Sequence, residues 1–224
     1  MALAASGASF FATAAAANNT GATGRGDGEA FVYVALGDST GAGYGARAGG
    51  YVERLHSRLR AERPQARLKS LCVNGATSAD VLRRQVPSAV ATHRPSLITL
   101  QVGVNDLSRQ VSLADYARHY DAILSALVQT GAPIIVANLP DVSLAPVVPA
   151  FLRTEIAGRI QAFNKEIAAA ARRHGVTMVD IYGPSHAAIP SRPELFSADG
   201  FHPSDAGYEF WADHMWPAIK GTLL

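Results

Sequence analysis

The residues of this sequence that could carry out chemistry are a serine near its beginning and an aspartate–histidine pair near its end. Ser39 stands in the glycine-flanked segment GDSTG, and Asp199 precedes His202 by three positions in the segment DGFHP. A serine hydroxyl is a weak nucleophile until a base removes its proton, and an acceptor must hold that base in the right tautomer. The pattern therefore predicts nucleophilic catalysis, with Ser39 as nucleophile, His202 as base and Asp199 as the acid that orients the base.

The spacing of the aspartate–histidine pair suits this role. A turn over residues 199–202 can bring the carboxylate to Nδ1 of the imidazole and leave Nε2 facing Ser39. The ordinary pKa of a histidine side chain, ~6.5, allows proton transfer near neutral pH. Asp-x-x-His alone is a common string that more often marks a surface hydrogen bond or a helix cap, so its functional meaning depends on where the fold places it.

Two further segments, NGAT and GVND, offer hydrogen-bond donors to a reacting carbonyl group. Gly75 contributes a backbone N–H with no side chain in the way, and Asn105 contributes an amide. Acyl transfer builds negative charge on the former carbonyl oxygen, and losing one prealigned donor raises the barrier by ~3 kcal/mol. Gly75 and Asn105, placed beside the Ser39 hydroxyl, therefore predict an oxyanion hole. Asp38 and Asp106 are expected to brace their loops through hydrogen bonds to backbone N–H groups.

Short apolar runs that alternate with longer helical stretches must position these residues. The runs predict strands at residues 31–36, 66–71, 97–102, 133–138 and 176–181. The stretches between them predict helices at 51–63, 78–92, 113–130 and 152–174, and a last helix begins near Ser204. Ser78 is the expected N-cap of the second helix. This order predicts a three-layer α/β/α fold with a flavodoxin-like, doubly wound sheet of five parallel strands, whose crevice lies at the carboxyl ends of the strands.

Two other motifs overlap the serine segment. GDSTG also fits the G-x-S-x-G nucleophile elbow of α/β-hydrolases, but such an elbow follows several strands, whereas one predicted strand precedes Ser39. GAGYGA at residues 41–46 fits a dinucleotide-binding pattern that requires an acidic residue after the second strand, where Ser70, Leu71 and Cys72 stand instead. The seven histidines show no paired-ligand spacing, and a single cysteine cannot build a thiolate site. Neither a cofactor nor a metal is therefore expected.

The segments GDST, NGATSAD, GVND and DGFHPS, in this order, resemble the successive sequence blocks of the SGNH or GDSL hydrolase family. The resemblance implies a serine esterase or lipase on the fold predicted above. It implies that Ser39, Asp199 and His202 form a catalytic triad. It also implies an oxyanion hole made of the backbone N–H groups of Ser39 and Gly75 and the side chain of Asn105.

The resemblance covers residues 31–217, with two departures. Many members of the family carry an asparagine about five residues before the glycine of the second block, where this sequence has Ser70. Many also carry an aspartate directly after that glycine, where this sequence has Ala76. Both positions concern the support of the loop that holds Gly75 more than the reacting groups themselves.

The predicted reaction is hydrolysis of a carboxylic ester, or of a thioester, through an acyl-Ser39 intermediate. The expected partner is a small-molecule ester: an acyl ester, a lysophospholipid or an acetylated carbohydrate. The alternative is a catalytically inactive module that binds carbohydrate or another ligand on the same scaffold. The apolar stretch 139–152 predicts either packing under the fourth helix or an acyl-chain wall or lid, and the stretch 183–198 predicts a loop that rims the crevice.

Composition restricts the remaining classes of protein. A chain of 224 residues, 48% hydrophobic and 17% charged, fits one domain, predicted over residues 30–224 after a flexible segment of residues 1–29. A net charge of +2, with basic residues scattered in pairs, argues against a nucleic-acid partner. The alanine-rich residues 1–17 resemble the core and cleavage site of an export signal that lacks its basic start. We therefore expect export to the periplasm or medium, with a cytoplasmic location as the alternative, and no stable insertion into a membrane.

Overall fold

The structure, a computed structural model, describes residues 30–92 and 94–223. Its strands are β1 (Val32–Gly37), β2 (Arg67–Ser70), β3 (Leu97–Gln101), β4 (Ile134–Ala137) and β5 (Thr177–Val179). Its helices are α1 (Tyr51–Glu62), α2 (Ser78–Asp80), α3 (Val86–Val90), α4 (Val104–Ser108), α5 (Leu113–Val128), α6 (Arg153–His174), α7 (Tyr182–Ala188) and α8 (Asp205–Gly221). The predicted flexible segment of residues 1–29 and its export signal lie outside the described residues.

The five strands form one parallel sheet in the order β2-β1-β3-β4-β5. This order is the flavodoxin-like one, so the predicted fold class is confirmed. The register pairs Gly37 at the end of β1 with Gln101 at the end of β3. The segments that follow these two strands therefore leave the sheet side by side.

Alternating side chains of β1, which lies between β2 and β3, belong to two separate cores, because successive residues of a strand point to opposite faces. Val34 and Leu36 belong to a cluster that includes side chains of α3, α5 and α6. Tyr33 and Ala35 belong to a second cluster with side chains of α1 and α8. Helices thus cover both faces of the sheet, which gives three layers. The edge formed by the carboxyl ends of the strands stays free for a site.

The predicted helix at residues 78–92 differs from the structure in two ways. Thr77, rather than Ser78, is the N-cap of α2, because its side chain accepts a hydrogen bond from the Asp80 N–H while the Asp80 carboxylate accepts one from the Thr77 N–H. A π-helical segment, Val81–Gln85, then joins α2 to α3. Such segments add a residue to a helical turn and often occur at functional sites.

Two short helices lie where loops were predicted. The helix α4 begins directly after Gly103, whose φ of +144° is unfavourable for residues with a side chain. A Cβ at this position would lie 2.8 Å from the Tyr116 hydroxyl oxygen, so the turn into α4 depends on this glycine. The helix α7 occupies residues 183–188 of the stretch 183–198. Neither helix is long enough to produce a clear apolar period in the sequence.

Candidate active site

The candidate nucleophile stands on a turn braced by its own neighbours. Asp38 is 1% exposed, and its Oδ1 accepts hydrogen bonds from the Thr40 N–H and the Thr40 hydroxyl, both at 3.0 Å. The Ser39 carbonyl accepts a hydrogen bond from the Tyr44 N–H at 3.0 Å. These bonds bend the chain sharply after β1, and Ser39 keeps 9% of its surface exposed. Asp38 therefore supports the loop, as the sequence predicts.

A residue that sequence reasoning missed also holds this turn. Gln85 lies in the π-helical segment and is 3% exposed. Its side chain accepts a hydrogen bond from the Gly37 N–H at 2.9 Å and donates one to the Gly37 carbonyl at 2.8 Å. Both backbone groups of Gly37, the last residue of β1, are thereby hydrogen-bonded to one side-chain amide. The sequence offered no signal for this, since Gln85 lies in a helical pattern 48 residues away from its partner.

The acid and the base share a small loop before α8. Its ends are joined by a bridge between Phe196 and Pro203, and the Ser197 N–H donates to the His202 carbonyl at 2.8 Å. Inside the loop, Oδ1 of Asp199 accepts hydrogen bonds from the N–H groups of Phe201 and His202, at 2.8 and 2.9 Å. The carboxylate is therefore fixed by the backbone before it meets the imidazole.

The structure brings the three predicted triad residues into one hydrogen-bonded chain. Nδ1 of His202 lies 2.6 Å from Oδ2 of Asp199, and Nε2 of His202 lies 3.1 Å from Oγ of Ser39. The two contacts use opposite nitrogens of the ring. An imidazole held in this way can accept a proton at Nε2 while the carboxylate stabilises the resulting cation.

The pKa values of the two aspartates near the nucleophile are shifted in opposite directions. Burial opposes ionisation of Asp199, but hydrogen bonds from the Phe201 N–H and from the ring and N–H of His202 hold its pKa well below the usual range. Burial raises the pKa of Asp38 to about 6, although the hydrogen bonds from Thr40 and the nearby His202 pull it down. At neutral pH, Asp199 therefore supplies a firm negative charge on the far side of the base.

Two aromatic rings flank the imidazole. The Tyr44 ring centroid lies 4.5 Å from that of His202, and the Phe201 ring meets His202 edge-on at 5.2 Å. The Tyr208 hydroxyl donates to the Tyr44 carbonyl at 2.7 Å, which ties this neighbour of the base to α8. The rings restrict the rotation of His202, so both of its nitrogens stay aligned.

Asn105 lies in the first turn of α4 and borders the same pocket as Ser39 and His202. Its amide nitrogen donates to the Ala76 carbonyl at 3.0 Å and lies 3.5 Å from Oδ2 of Asp38. One N–H of the amide is thus used to hold the turn, and the other has only a long contact. This second N–H is available to a substrate oxygen.

Gly75 stands in the turn that Asn105 holds. Its φ is +76°, a conformation that favours glycine, and its carbonyl accepts a hydrogen bond from Arg109 at 2.9 Å. Through Ala76 the structure thus links Gly75 to Asn105. Of the predicted site residues, Ser39, Asn105 and His202 border one pocket, Asp199 contacts it through His202, and Gly75 does not border it.

The pocket at Ser39 is largely apolar beyond its reacting groups. Pro140 and Val142 form part of its wall. Ile189 and Leu195, which belong to the stretch 183–198, also line it. The stretch 139–152 also packs on α6, since Leu139 and Ala145 are buried and the Asn164 side chain bonds both backbone groups of Leu139. Both interpretations of this stretch therefore hold together: it packs under the helix and forms a pocket wall.

The described residues show neither a metal site nor a membrane span. Within residues 30–92 and 94–223, no group of three or more His, Cys, Asp or Glu side chains is arranged to hold an ion. No helix in this part of the chain combines the length and the apolar character that crossing a bilayer requires.

Fold and site together define a three-layer α/β protein with a Ser–His–Asp chain at the carboxyl edge of its sheet. The chain matches the GDSL-like lipase/acylhydrolase family over residues 35–210. It therefore belongs to this family, and the resemblance found in its four sequence segments is confirmed.

Relatives with established names agree with this assignment. The chain is 28% identical over 194 residues to the GDSL-like esterase Rv1075c of Mycobacterium tuberculosis, a match that covers 84% of this chain and 61% of that protein. It is 26% identical over 192 residues to the esterase TesA of Pseudomonas aeruginosa, a match that covers 85% of this chain and 88% of that one. A crystal structure of TesA superposes with a TM-score of 0.71 at 23% identity, over 85% of this chain and 99% of the other. This chain thus spans about three fifths of the mycobacterial esterase.

Proposed function

We propose that this protein hydrolyses carboxylic esters through an acyl-Ser39 intermediate. The observation that carries the proposal is the chain of contacts from Ser39 through His202 to Asp199, with distances of 3.1 and 2.6 Å. Such a chain supplies the nucleophile, its base and the acceptor that orients the base. The esterase names of two relatives in the family support the same reaction.

In the first half of the reaction, Oγ of Ser39 attacks the carbonyl carbon of the ester while its proton passes to Nε2 of His202. The carbonyl π bond opens, and the oxygen that takes its electrons is stabilised by the free N–H of Asn105 and by the backbone N–H of Ser39. Collapse of this intermediate breaks the bond to the alcohol oxygen, which takes the proton from His202. The acyl group remains on Ser39.

In the second half, water enters and gives a proton to His202 as its oxygen attacks the acyl carbon. The resulting intermediate collapses, the proton returns to Oγ of Ser39, and the carboxylic acid leaves. Asp199 stays ionised throughout, because its hydrogen bonds hold its pKa low. Thioesters would react by the same steps, with a thiol as the leaving group.

A fluorophosphonate probe tests the nucleophile directly. We expect one covalent adduct, located on Ser39 by mass spectrometry of digested peptides, together with hydrolysis of p-nitrophenyl esters that the adduct abolishes. The matched control is Ser78→Ala, which alters a buried serine outside the pocket and should leave labelling intact. Labelling elsewhere, with activity that survives Ser39→Ala, would contradict the proposal and favour an inactive ligand-binding module.

A paired substrate series separates esters from thioesters. Acyl p-nitrophenyl esters and acyl thioesters with the same acyl group should form the same acyl-Ser39 adduct. We expect the ester to give the higher kcat/KM, because the two named relatives are esterases. A preference for the thioester at every acyl length would reassign the substrate class while leaving the acyl-serine mechanism in place.

A further inference from the structure

The pocket at Ser39 is small. It has a volume of about 70 Å³. Because one water molecule occupies ~10–15 Å³ of such space, the pocket has room for about five to seven water-sized groups. An acyl chain of roughly four to six carbons would fill it.

A second and larger pocket lies next to the first. Its volume is about 330 Å³, and its walls include Leu107 of α4, Leu152 directly before α6, and Ile156 of α6. Four polar side chains also border it: Ser108, Gln110, Glu155 and Arg159. Apolar walls with a few polar side chains fit the aliphatic chain of an ester better than a charged or sugar-like ligand.

Three residues border both pockets and therefore lie between them: Val104, Val142 and Phe201. Val104 directly precedes Asn105, and Val142 belongs to the stretch packed on α6. Phe201 is different because its ring projects from the loop of the base, edge-on to His202 and half-buried against the core cluster. Its backbone N–H, and not its side chain, contacts Asp199.

We propose that the second pocket is a binding site for the distal part of a long acyl chain, and that the Phe201 ring closes it off from Ser39. Phe201 is then the residue that sets acyl-chain length: the protein as it stands selects short acyl esters, and loss of the ring admits long ones. This inference rests on the ester hydrolysis proposed above, and it adds the substrate class and the residue that determines it.

A chain-length series on p-nitrophenyl esters from acetate to laurate tests the inference. The quantity measured is the ratio of kcat/KM for the decanoate to that for the butyrate, which cancels any general loss of activity in a variant. Wild type should give a ratio well below one. Phe201→Ala should raise the ratio at least about tenfold, because each buried CH2 group contributes about fourfold and two or more would enter the second pocket. Phe201→Leu, a milder change, should raise it less.

Two controls make the readout specific to the second pocket. Ile156 borders the second pocket and not the first, so Ile156→Trp fills it and should reverse the gain when combined with Phe201→Ala. Phe210 borders the first pocket and not the second, so Phe210→Ala removes the same atoms without joining the two. Its effect on the ratio should be smaller and should not respond to Ile156→Trp.

Three results would overturn the inference: a wild type that cleaves decanoate as well as butyrate, an unchanged ratio in both Phe201 variants, or a gain that persists with Ile156→Trp. Each of them leaves hydrolysis and Ser39 labelling in place, so the proposed function would stand. Absence of all hydrolysis and of labelling at Ser39 would overturn the proposed function and this inference with it.

Discussion

The Ser39–His202–Asp199 group and the Ser78–Asp106–His119 group each contain one serine, one histidine and one aspartate, and the two groups differ in the order of their hydrogen bonds. In the candidate site the imidazole lies between the hydroxyl and the carboxylate. In the second group the Ser78 hydroxyl lies in the middle, 2.5 Å from Oδ1 of Asp106 and 3.1 Å from Nδ1 of His119. There the carboxylate meets the serine rather than the histidine, so it cannot fix an imidazole that acts as a base.

The two groups also differ in exposure and in the direction in which the pKa of the carboxyl group is shifted. Ser78 and Asp106 are fully buried, whereas Ser39 borders the open pocket. Burial raises the pKa of Asp106, although hydrogen bonds from Ser78 and the nearby His119 lower it again. Asp199, with its loop hydrogen bonds, has a pKa below the usual range. The comparison shows that residue types alone do not make a catalytic group; the order of contacts and access to a substrate do.

The largest expected difference between the two groups is the loss of kcat when each serine is removed in turn. Ser39→Ala should lower kcat for a p-nitrophenyl ester by roughly 10⁴- to 10⁶-fold, because the residual rate comes from the oxyanion donors and binding alone. Ser78→Ala should retain most of the wild-type kcat, since its hydroxyl does not reach the pocket. Steady-state kinetics on both variants measures these two values of kcat. Similar losses in the two variants would show that the buried group takes part in the reaction.

The aspartates should separate the groups almost as clearly. Asp199→Asn keeps the shape of the loop but no longer favours the tautomer that accepts a proton at Nε2, so kcat should fall by about 10⁴-fold. Asp106→Asn removes a charge that contacts no substrate, and its main effect should be on folding. We would measure kcat for both variants beside their thermal unfolding. A small loss of kcat in Asp199→Asn would show that another group orients His202.

Replacing Asn105, which directly precedes Asp106 in the sequence, should give a smaller loss of kcat. Asn105→Ala removes one donor to the developing oxyanion, so kcat should fall by about 10²- to 10³-fold with little change in KM. The control is Arg109→Ala, which removes a contact to the Gly75 carbonyl without touching the amide of Asn105. A change confined to KM in Asn105→Ala would make Asn105 a binding residue instead.

The sequence predicted the parts of this arrangement that depend on chain order. All five strands were placed within one or two residues, because most of them are short apolar runs between turns; β2, with the sequence RLKS, is the exception. Their order then placed Ser39 and Asn105 at one edge, since the ends of β1 and β3 are in register. The acid and base lie three residues apart, so one local turn could be expected to join them.

The parts that the sequence missed depend on contacts between distant residues. The helix α4 has five residues, too few for a period, and it is held by the turn at Gly103 and by the bond from Asn105 to the Ala76 carbonyl. The amide of Gln85 is buried against Gly37, although its place in the pattern is typical of a helix face. Thr77, and not Ser78, is the N-cap of α2, because the Ser78 hydroxyl forms a hydrogen bond with Asp106 instead.

A fourth prediction concerns pH and the buried Asp38. Its pKa is raised from 3.8 to about 6 in the folded protein, so folding favours the protonated form. This contribution to stability is fully present below pH ~4 and is lost as the pH rises through ~6. Wild type should therefore lose stability relative to Asp38→Asn between pH 3.5 and 7, by on the order of 3 kcal/mol.

Chemical unfolding of both proteins at several pH values measures this difference. Groups that do not interact with Asp38 titrate equally in the two proteins and cancel when the free energies of unfolding are subtracted, whereas Asp106 and His202 interact with Asp38 and contribute to the difference. Asp106→Asn, studied in the same way, should show a change of the same sign, because burial raises that pKa too. A difference that stays constant with pH would show that Asp38 is ionised in the folded protein over the whole range.

The smallest expected effect returns to the two serines, now measured as stability. Ser78→Ala deletes the hydroxyl that donates to Oδ1 of Asp106, while the Ser78 N–H still donates to Oδ2 at 2.9 Å. A buried carboxylate that loses one of its donors should cost about 1–3 kcal/mol in the free energy of unfolding. Ser39→Ala should change that free energy by less than about 0.5 kcal/mol, because the hydroxyl borders a pocket that water can enter. Urea unfolding curves for the two variants test this, and equal midpoints would mean that the second group does not stabilise the fold. A large effect of Ser78→Ala on stability, beside a large effect of Ser39→Ala on rate, would assign one group to folding and the other to chemistry.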